Sequence, residues 1–397
     1  MAFDASFDLL EPAAWNALLL SNDYPMRPAL ANANTNIEGV SIAGQVAARN
    51  KTVKIPKASK PTGDAKTYAG SNTYTQDDPE FTQPELVMED VLYRSFTIDK
   101  WDQNFSLPDL VSSQVVPRIH NILDTINKNI IKRELNRFDI AVADLNTTAT
   151  VLDTTDVRFM RKALLERSFV EDQVMAAVID PDGEFDLNGL SLFQEADKRG
   201  NNQVQLTGAM GNAFGFDFML DNVPNDVDST STVGDAVVAA SASIGDTTIT
   251  IDDGSGSGAT ETMANGDVIY FGTANDRDDW YVVDSVNAAG TEITLKEPLR
   301  ADVADDAAIT GVSGSSQYFY DPSGIALITA LPVQSRVTSA QGVTRIPFFE
   351  PMNQANFMIS IEGDTGGAQV TIETLVGAKN FQPSRGGRYL RGDTAKA

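Results

Sequence analysis

The sequence predicts an α+β fold with a small all-β domain inserted at residues 229–312, on the strength of three observations. One apolar stripe recurs at helical spacing between Ile119 and Phe138, alternating strand-like runs flank it on both sides, and a third segment has a different character altogether. Between Asp221 and Thr310 the chain reads as short strands separated by Gly, Ser and Asp, with eighteen acidic residues against three basic ones. That segment holds −15 of the whole-chain charge of −25, so under a quarter of the residues carries more than half of it. A surface so acidic repels phosphate and cannot grip nucleic acid.

At 397 residues and 42% apolar composition the chain can fill a real core. Met1–Leu20 lacks Lys and Arg and has only a short apolar stretch at Ala17–Leu20, so neither a secretory signal nor a membrane span is expected, and folding in the cytoplasm is. The absence of cysteine excludes disulfides and thiolate chemistry. The one histidine, His120, falls in the helical pattern, far from any nucleophile signature, and reads as a helix-surface residue.

Residues 1–50, rich in Ala and Asn with Pro12, Pro25 and Pro28, predict a short helix at Pro12–Leu20 and then an extended arm ordered by a neighbour. In residues 51–105, Thr52–Pro56 and Tyr93–Ile98 alternate as strands about a long polar excursion, which predicts an extended hairpin. Its first limb is basic, through Lys51, Lys54, Lys57, Lys60 and Lys66 against Asp64. Two readings stay open for it: a solvated loop, or an arm reaching onto an acidic neighbour as an inter-subunit contact.

Residues 106–152 begin with Ser106-Leu107-Pro108-Asp109, a helix start with an N-cap, a first-turn proline and an acid at the positive dipole end. Ile119, Ile122, Leu123, Ile126, Ile130, Ile131, Leu135 and Phe138 then draw one stripe, read as core with a coiled-coil partner as the alternative, and Pro117 predicts a kink. In residues 153–228, Asp156 is the expected cap of a helix at Val157–Arg167, Val174–Ile179 a buried strand, Asp180-Pro181-Asp182-Gly183 a turn, and Leu187–Arg199 a further helix. Gly208–Phe216 is glycine-rich but lacks the Gly-Lys-Ser/Thr ending of a phosphate loop, and Phe216–Leu220 behind it reads as strand.

In the acidic segment, Thr248–Ile251, Asp267–Phe271, Trp280–Val283 and Glu292–Leu295 are evenly spaced strands of a small barrel or sandwich. Asp252-Asp253-Gly254-Ser255-Gly256 lacks the ligand spacing of a calcium loop and is read as solvated; no metal or cofactor is expected. Residues 313–397 resume with Asp321–Leu327, Phe357–Ile361 and a last strand at Ala368–Val376, before a basic end through Lys379, Arg385, Arg388 and Arg391. Arg391-Gly392-Asp393 matches an adhesion tripeptide by chance.

This order of parts resembles the major capsid proteins of tailed bacteriophages with the Hong Kong 97 capsid fold, in the branch that carries an inserted β-domain. Gln173–Pro181, Gly211–Leu220 with Asn222-Val223-Pro224, the strands around Gly266–Phe271, Trp280–Val283 and Thr291–Leu295, and the closing Thr374–Pro383 are similar to that family's segments. The resemblance implies an N-terminal arm at 1–50, an extended loop with peripheral strands at 51–105, and a spine helix with the rest of the peripheral domain at 106–152. It implies an axial domain at 153–228 that returns at 313–397, interrupted by the inserted domain. It also implies a non-enzymatic role: hexamers and pentamers forming an icosahedral shell around packaged double-stranded DNA, bound without sequence specificity and without a membrane. Scaffolding and portal proteins, and in some members decoration proteins, are the implied partners, and the virion the implied location. An encapsulin-like compartment and a carbohydrate-active enzyme with an acidic β-module are the competing readings.

Overall fold

The structure is a computed structural model and describes residues 17, 19–21, 24, 29, 36–37, 40–41, 52–54, 57–58, 81–82, 85–88, 90–99, 111–143, 152–167, 175–190, 193, 210–221, 226–228, 233, 236–252, 263–272, 279–331, 343–364 and 367–392. The chain forms two compact units, one made of Met1–Tyr24, Asn34–Ile122 and Ala326–Phe381, the other of Pro25–Ala33, Leu123–Ile325 and Gln382–Ala397.

Strands β1 (Asn36–Ile37) and β2 (Val40–Ser41) pair with each other. The expected hairpin follows as β3 (Thr52–Lys54), β4 (Lys57–Ala58), β5 (Phe81–Thr82) and β6 (Glu85–Val87), with β3 antiparallel to β6 and β4 to β5. Its second limb is therefore 81–87 and not Tyr93–Ile98, which lies within the separate strand β7 (Asp90–Asp99). Alternation marks a strand but not its partner, so the two limbs are indistinguishable in the sequence.

Next comes one unbroken helix, α1, wound as π-helix over Val111–Val115 and Ile126–Ile131 and as α-helix over Val116–Thr125 and Lys132–Leu135. Pro117 does not break it; the winding widens just upstream of the ring instead, where looser geometry tolerates the missing donor. All eight residues of the predicted stripe are buried, Phe138 just beyond the last turn.

After β8 (Ile140–Ala143) comes α2 (Thr154–Arg167). Its cap is Asp153, not Asp156: Asp153 Oδ1 accepts from the N–H of Thr155 (2.7 Å) and Asp156 (2.9 Å). Asp156 Oδ2 accepts from the Asp153 N–H at 2.9 Å, the reciprocal arrangement of a capping box. Strand β9 (Met175–Ile179) is buried throughout. The expected turn at Asp180-Pro181-Asp182-Gly183 instead opens helix α3 (Pro181–Asn188), because Asp180 acts as N-cap, accepting from the Gly183 N–H at 2.7 Å, with Pro181 in the first turn. Of the helix expected at Leu187–Arg199, Leu187 and Asn188 belong to α3, and residues 191–192 and 194–199 lie outside the described residues. The glycine-rich passage is a hairpin of β10 (Gly211–Ala213) and β11 (Phe216–Leu220), its turn made by Phe214 and Gly215 at φ 53° and 82°. Strand β12 is Asp226–Asp228.

Strands β13 (Val237–Val238), β14 (Thr248–Asp252), β15 (Val268–Phe271), β16 (Tyr281–Val286), β17 (Glu292–Leu295) and β18 (Ile309–Gly311) form an antiparallel sheet in the order β13-β14-β17-β16-β15-β18. A bridge between Val237 and Ala308 joins its two outer edges, so the sheet closes into a small barrel. Ile249, Ile251, Ile269, Phe271, Val283, Ile293 and Leu295 fill its interior, as period-two burial requires.

The remaining strands are β19 (Ser313–Tyr320), β20 (Ile325–Ala330), β21 (Val343–Glu350), β22 (Ala355–Asp364), β23 (Gly367–Asn380) and β24 (Gly386–Gly392). In the first unit a five-stranded sheet runs β20-β23-β22-β21, with β7 paired to β23 over ten consecutive residues. In the second, a seven-stranded sheet runs β10-β11-β9-β19-β24-β8, with β12 on β19; β11 with β9 and β24 with β8 are its parallel pairs. The fold is thus α+β, with few helices and mostly strands.

Candidate functional site

The predicted contact lysines fall largely outside the described residues: Lys51, Lys60 and Lys66 do so entirely. Lys54 closes β3 in backbone register with Glu85, and Lys57 opens β4 in register with Thr82.

One set of buried charged contacts in the second unit lies around β24. This strand lies inside its sheet, between β19 and β8, and of the basic end of the sequence it holds Arg388 and Arg391, with Arg385 just before it and Lys379 in β23. Arg385 Nη1 reaches Asp321 Oδ2 and Ser323 Oγ, both at 3.2 Å. Arg388 is buried and donates to the Gly266 carbonyl on the barrel. Burial pushes its pKa down, while Tyr318 and Asp267 act in the other direction. Arg391 pairs with Asp186 of α3 at 2.9 Å. Burial raises the Asp186 pKa, opposed by the Leu152 N–H at 3.0 Å and by Arg391. The arginine of the adhesion-like tripeptide is thereby committed to an internal ion pair.

A second set joins the barrel to the segment after α1. Ala141, Ala143 and Leu390 of the seven-stranded sheet pack on Val268, Trp280, Val282 and Val312. At the rim of this apolar patch, Lys296 Nζ donates to the Arg137 carbonyl at 3.1 Å, and Glu297 lies between Arg300 (3.0 Å) and Arg167 of α2 (3.4 Å). Asp139 is pushed up to about 6, chiefly by burial; Lys296 opposes the shift, while Glu297 and Asp284 add to it. Both described bases of the acidic segment, Lys296 and Arg300, therefore face inward contacts, Arg300 also donating to the Trp280 carbonyl at 3.0 Å. His120, expected on the helix surface, is half-buried instead and meets the edge of the buried Tyr24, ring centroids 5.5 Å apart. Among the described residues no group of three or more His, Cys, Asp or Glu could hold a metal ion, and no helix is long and apolar enough to cross a membrane.

No family model matches the chain, and no curated protein does. Three of the solved structures similar to it come from phages. A structure from Mycobacterium phage Che8 is 14% identical, with 94% of each chain covered and a TM-score of 0.49. The head structure of Helicobacter pylori bacteriophage KHP40 is 10% identical, again with 94% of each chain covered, at a TM-score of 0.46. The capsid structure of the Cyanophage P-SCSP1u is 9% identical, covering 86% of this chain and 83% of the other, at a TM-score of 0.46.

The ionic joints around β24 were missed at the sequence level. Their one local signal is the run of three arginines at intervals of three, Arg385, Arg388 and Arg391, which reads equally as a solvated tail.

Proposed function

We propose that the chain is the major capsid protein of a tailed bacteriophage of the Hong Kong 97 type, with the barrel as its inserted β-domain. In this reading it assembles as hexamers and pentamers into an icosahedral shell around packaged double-stranded DNA, in the host cytoplasm, with scaffolding and portal proteins and in some cases a decoration protein. One observation carries the reading. A long helix, Val111–Leu135, follows a sheet strand that continues an extended hairpin, and leads into a mixed seven-stranded sheet whose last strand is the chain's own C-terminal strand. That order supports the loop, spine and axial domain that the resemblance implies.

The barrel then belongs on the outer face or along the outer subunit boundaries, because the acidic segment Asp221–Thr310 that forms it carries −15 per copy and is repelled by DNA. A tag inserted at Gly254–Gly258 should be accessible to antibody on intact particles; a tag hidden there refutes the placement. The function itself is tested by electron microscopy of the chain expressed with its scaffold. Shells of uniform diameter holding nuclease-protected DNA are expected, shells filled with protein cargo favour a compartment instead, and a monodisperse monomer defeats the reading.

A further inference from the structure

Strand β7 is the outermost strand beside β23. On one side it pairs without a bulge from Asp90↔Val376 to Asp99↔Gly367, and no described strand pairs with its other side. In an antiparallel strand every second residue turns its N–H and C=O to the free side, so this edge presents a regular row of unused donors and acceptors. Folded proteins protect such edges with shortness, proline, bulges or charge. Here the strand is ten residues long, has no proline, and its one base, Arg94, is engaged by Asn121 Oδ1 of α1 at 2.7 Å. Its outer face also leaves Val91 and Tyr93 52% and 65% exposed.

The strand is complementary to itself. Laid antiparallel about Ser95, it sets Arg94 opposite Phe96, Tyr93 opposite Thr97, Leu92 opposite Ile98 and Val91 opposite Asp99. An aromatic then faces a β-branched residue twice, Tyr93 against Thr97 on either side of the axis, and Leu92 meets Ile98, pairs that favour a ladder. Turning about Arg94 instead would set arginine on arginine. A dyad through a residue also keeps Val91 and Tyr93 of both copies on one face.

We propose that this edge binds a second copy of the chain, β7 pairing with β7 antiparallel about a two-fold axis through Ser95, so that two five-stranded sheets become one. The inference goes beyond the capsid reading and does not rest on it.

The chain has no cysteine, so Ser95→Cys introduces its sole thiol. Opposed antiparallel residues lie about 4.5–5.5 Å apart at Cα, within disulfide reach. Mild oxidation of the full-length Ser95→Cys chain should double its mass on a non-reducing gel. Tyr93→Cys alone should stay single, because the two copies of residue 93 would lie roughly 13 Å apart, whereas the double variant Tyr93→Cys, Thr97→Cys should link. Ser95 is exposed and its hydroxyl is hydrogen-bonded to the Thr371 and Gln369 side chains, so an unchanged melting curve certifies the fold. Failure of Ser95→Cys to link, or equal linking by Tyr93→Cys alone, overturns the pairing. A Ser95→Cys dimer from a chain that makes no shells supports the edge contact while the capsid reading fails.

Discussion

Replacing Gly386 with alanine should destabilise the second unit through contact alone. Gly386 has φ −164°, extended backbone open to any residue, so the substitution brings no backbone strain. Its missing Cβ, however, would lie 2.6 Å from Cδ1 and Cζ of the Phe138 ring. Carbon atoms prefer about 3.5–4.0 Å, so the ring would have to retreat by about 1 Å. Phe138 is fully buried and stacked on Tyr320 at 5.6 Å between centroids, which leaves it nowhere to go. Overpacking of this kind costs about 1–3 kcal/mol, which lowers the melting temperature by about 2–12 °C. Gly387→Ala should behave alike, meeting Phe319 at 2.5 Å and Ile140 at 2.8 Å. Gly324→Ala is the control, since its nearest neighbour is at 3.6 Å, ordinary contact. Scanning calorimetry reads all three. A Gly386→Ala chain that melts with the parent, or a Gly324→Ala chain that falls as far, refutes the packing argument.

Arg391→Met should cost about 3 kcal/mol in urea unfolding by stranding the Asp186 carboxylate, and adding Asp186→Asn should restore part of it; full additivity of the two changes would deny the coupling. Asp139 has a folded pKa near 6 against an ordinary 3.8, so its stabilising contribution is fully present below about 3.8 and lost as pH rises through 6. Between pH 4 and 7 the parent should therefore lose stability relative to Asp139→Asn, and parallel curves for the two chains would remove Asp139 as the cause. Under the arm reading, charge reversal at Lys54, Lys57 and Lys60 should abolish shells while monomers stay folded by circular dichroism; normal particles would leave these lysines as solvated loop residues.

What was legible in the sequence is what local chemistry writes. The stripe from Ile119 to Phe138 specifies a helix by its period, and Thr248–Ile251 or Glu292–Leu295 specify strands by alternation. Caps were legible only in kind: Asp153 and Asp156 are both competent, and their reciprocal bonds, not their identity, decide which one starts α2. Asp180-Pro181-Asp182-Gly183 suits a turn and a helix start equally, since both use an acceptor followed by proline. Pairing across the chain was not legible. Nothing near Tyr93 announces a partner at Glu373, and nothing near Arg391 announces Asp186, because neither register nor ion-pair choice is encoded in neighbours along the chain. The candidate contact lysines carry charge without geometry, so composition alone suggested them.

The bridge from Val237 to Ala308 means that the chain enters and leaves the barrel at nearly the same place. In the path of the polypeptide the stretch from Val237 to Ala308 is a round trip, and its length is free to vary without moving β12 or β19. Its complete excision is another matter. Ala141, Ala143 and Leu390 are apolar and buried against Trp280 and Val282, so a chain shortened there would open a greasy floor to water. The round trip is optional for the route and obligatory for the surface it now roofs.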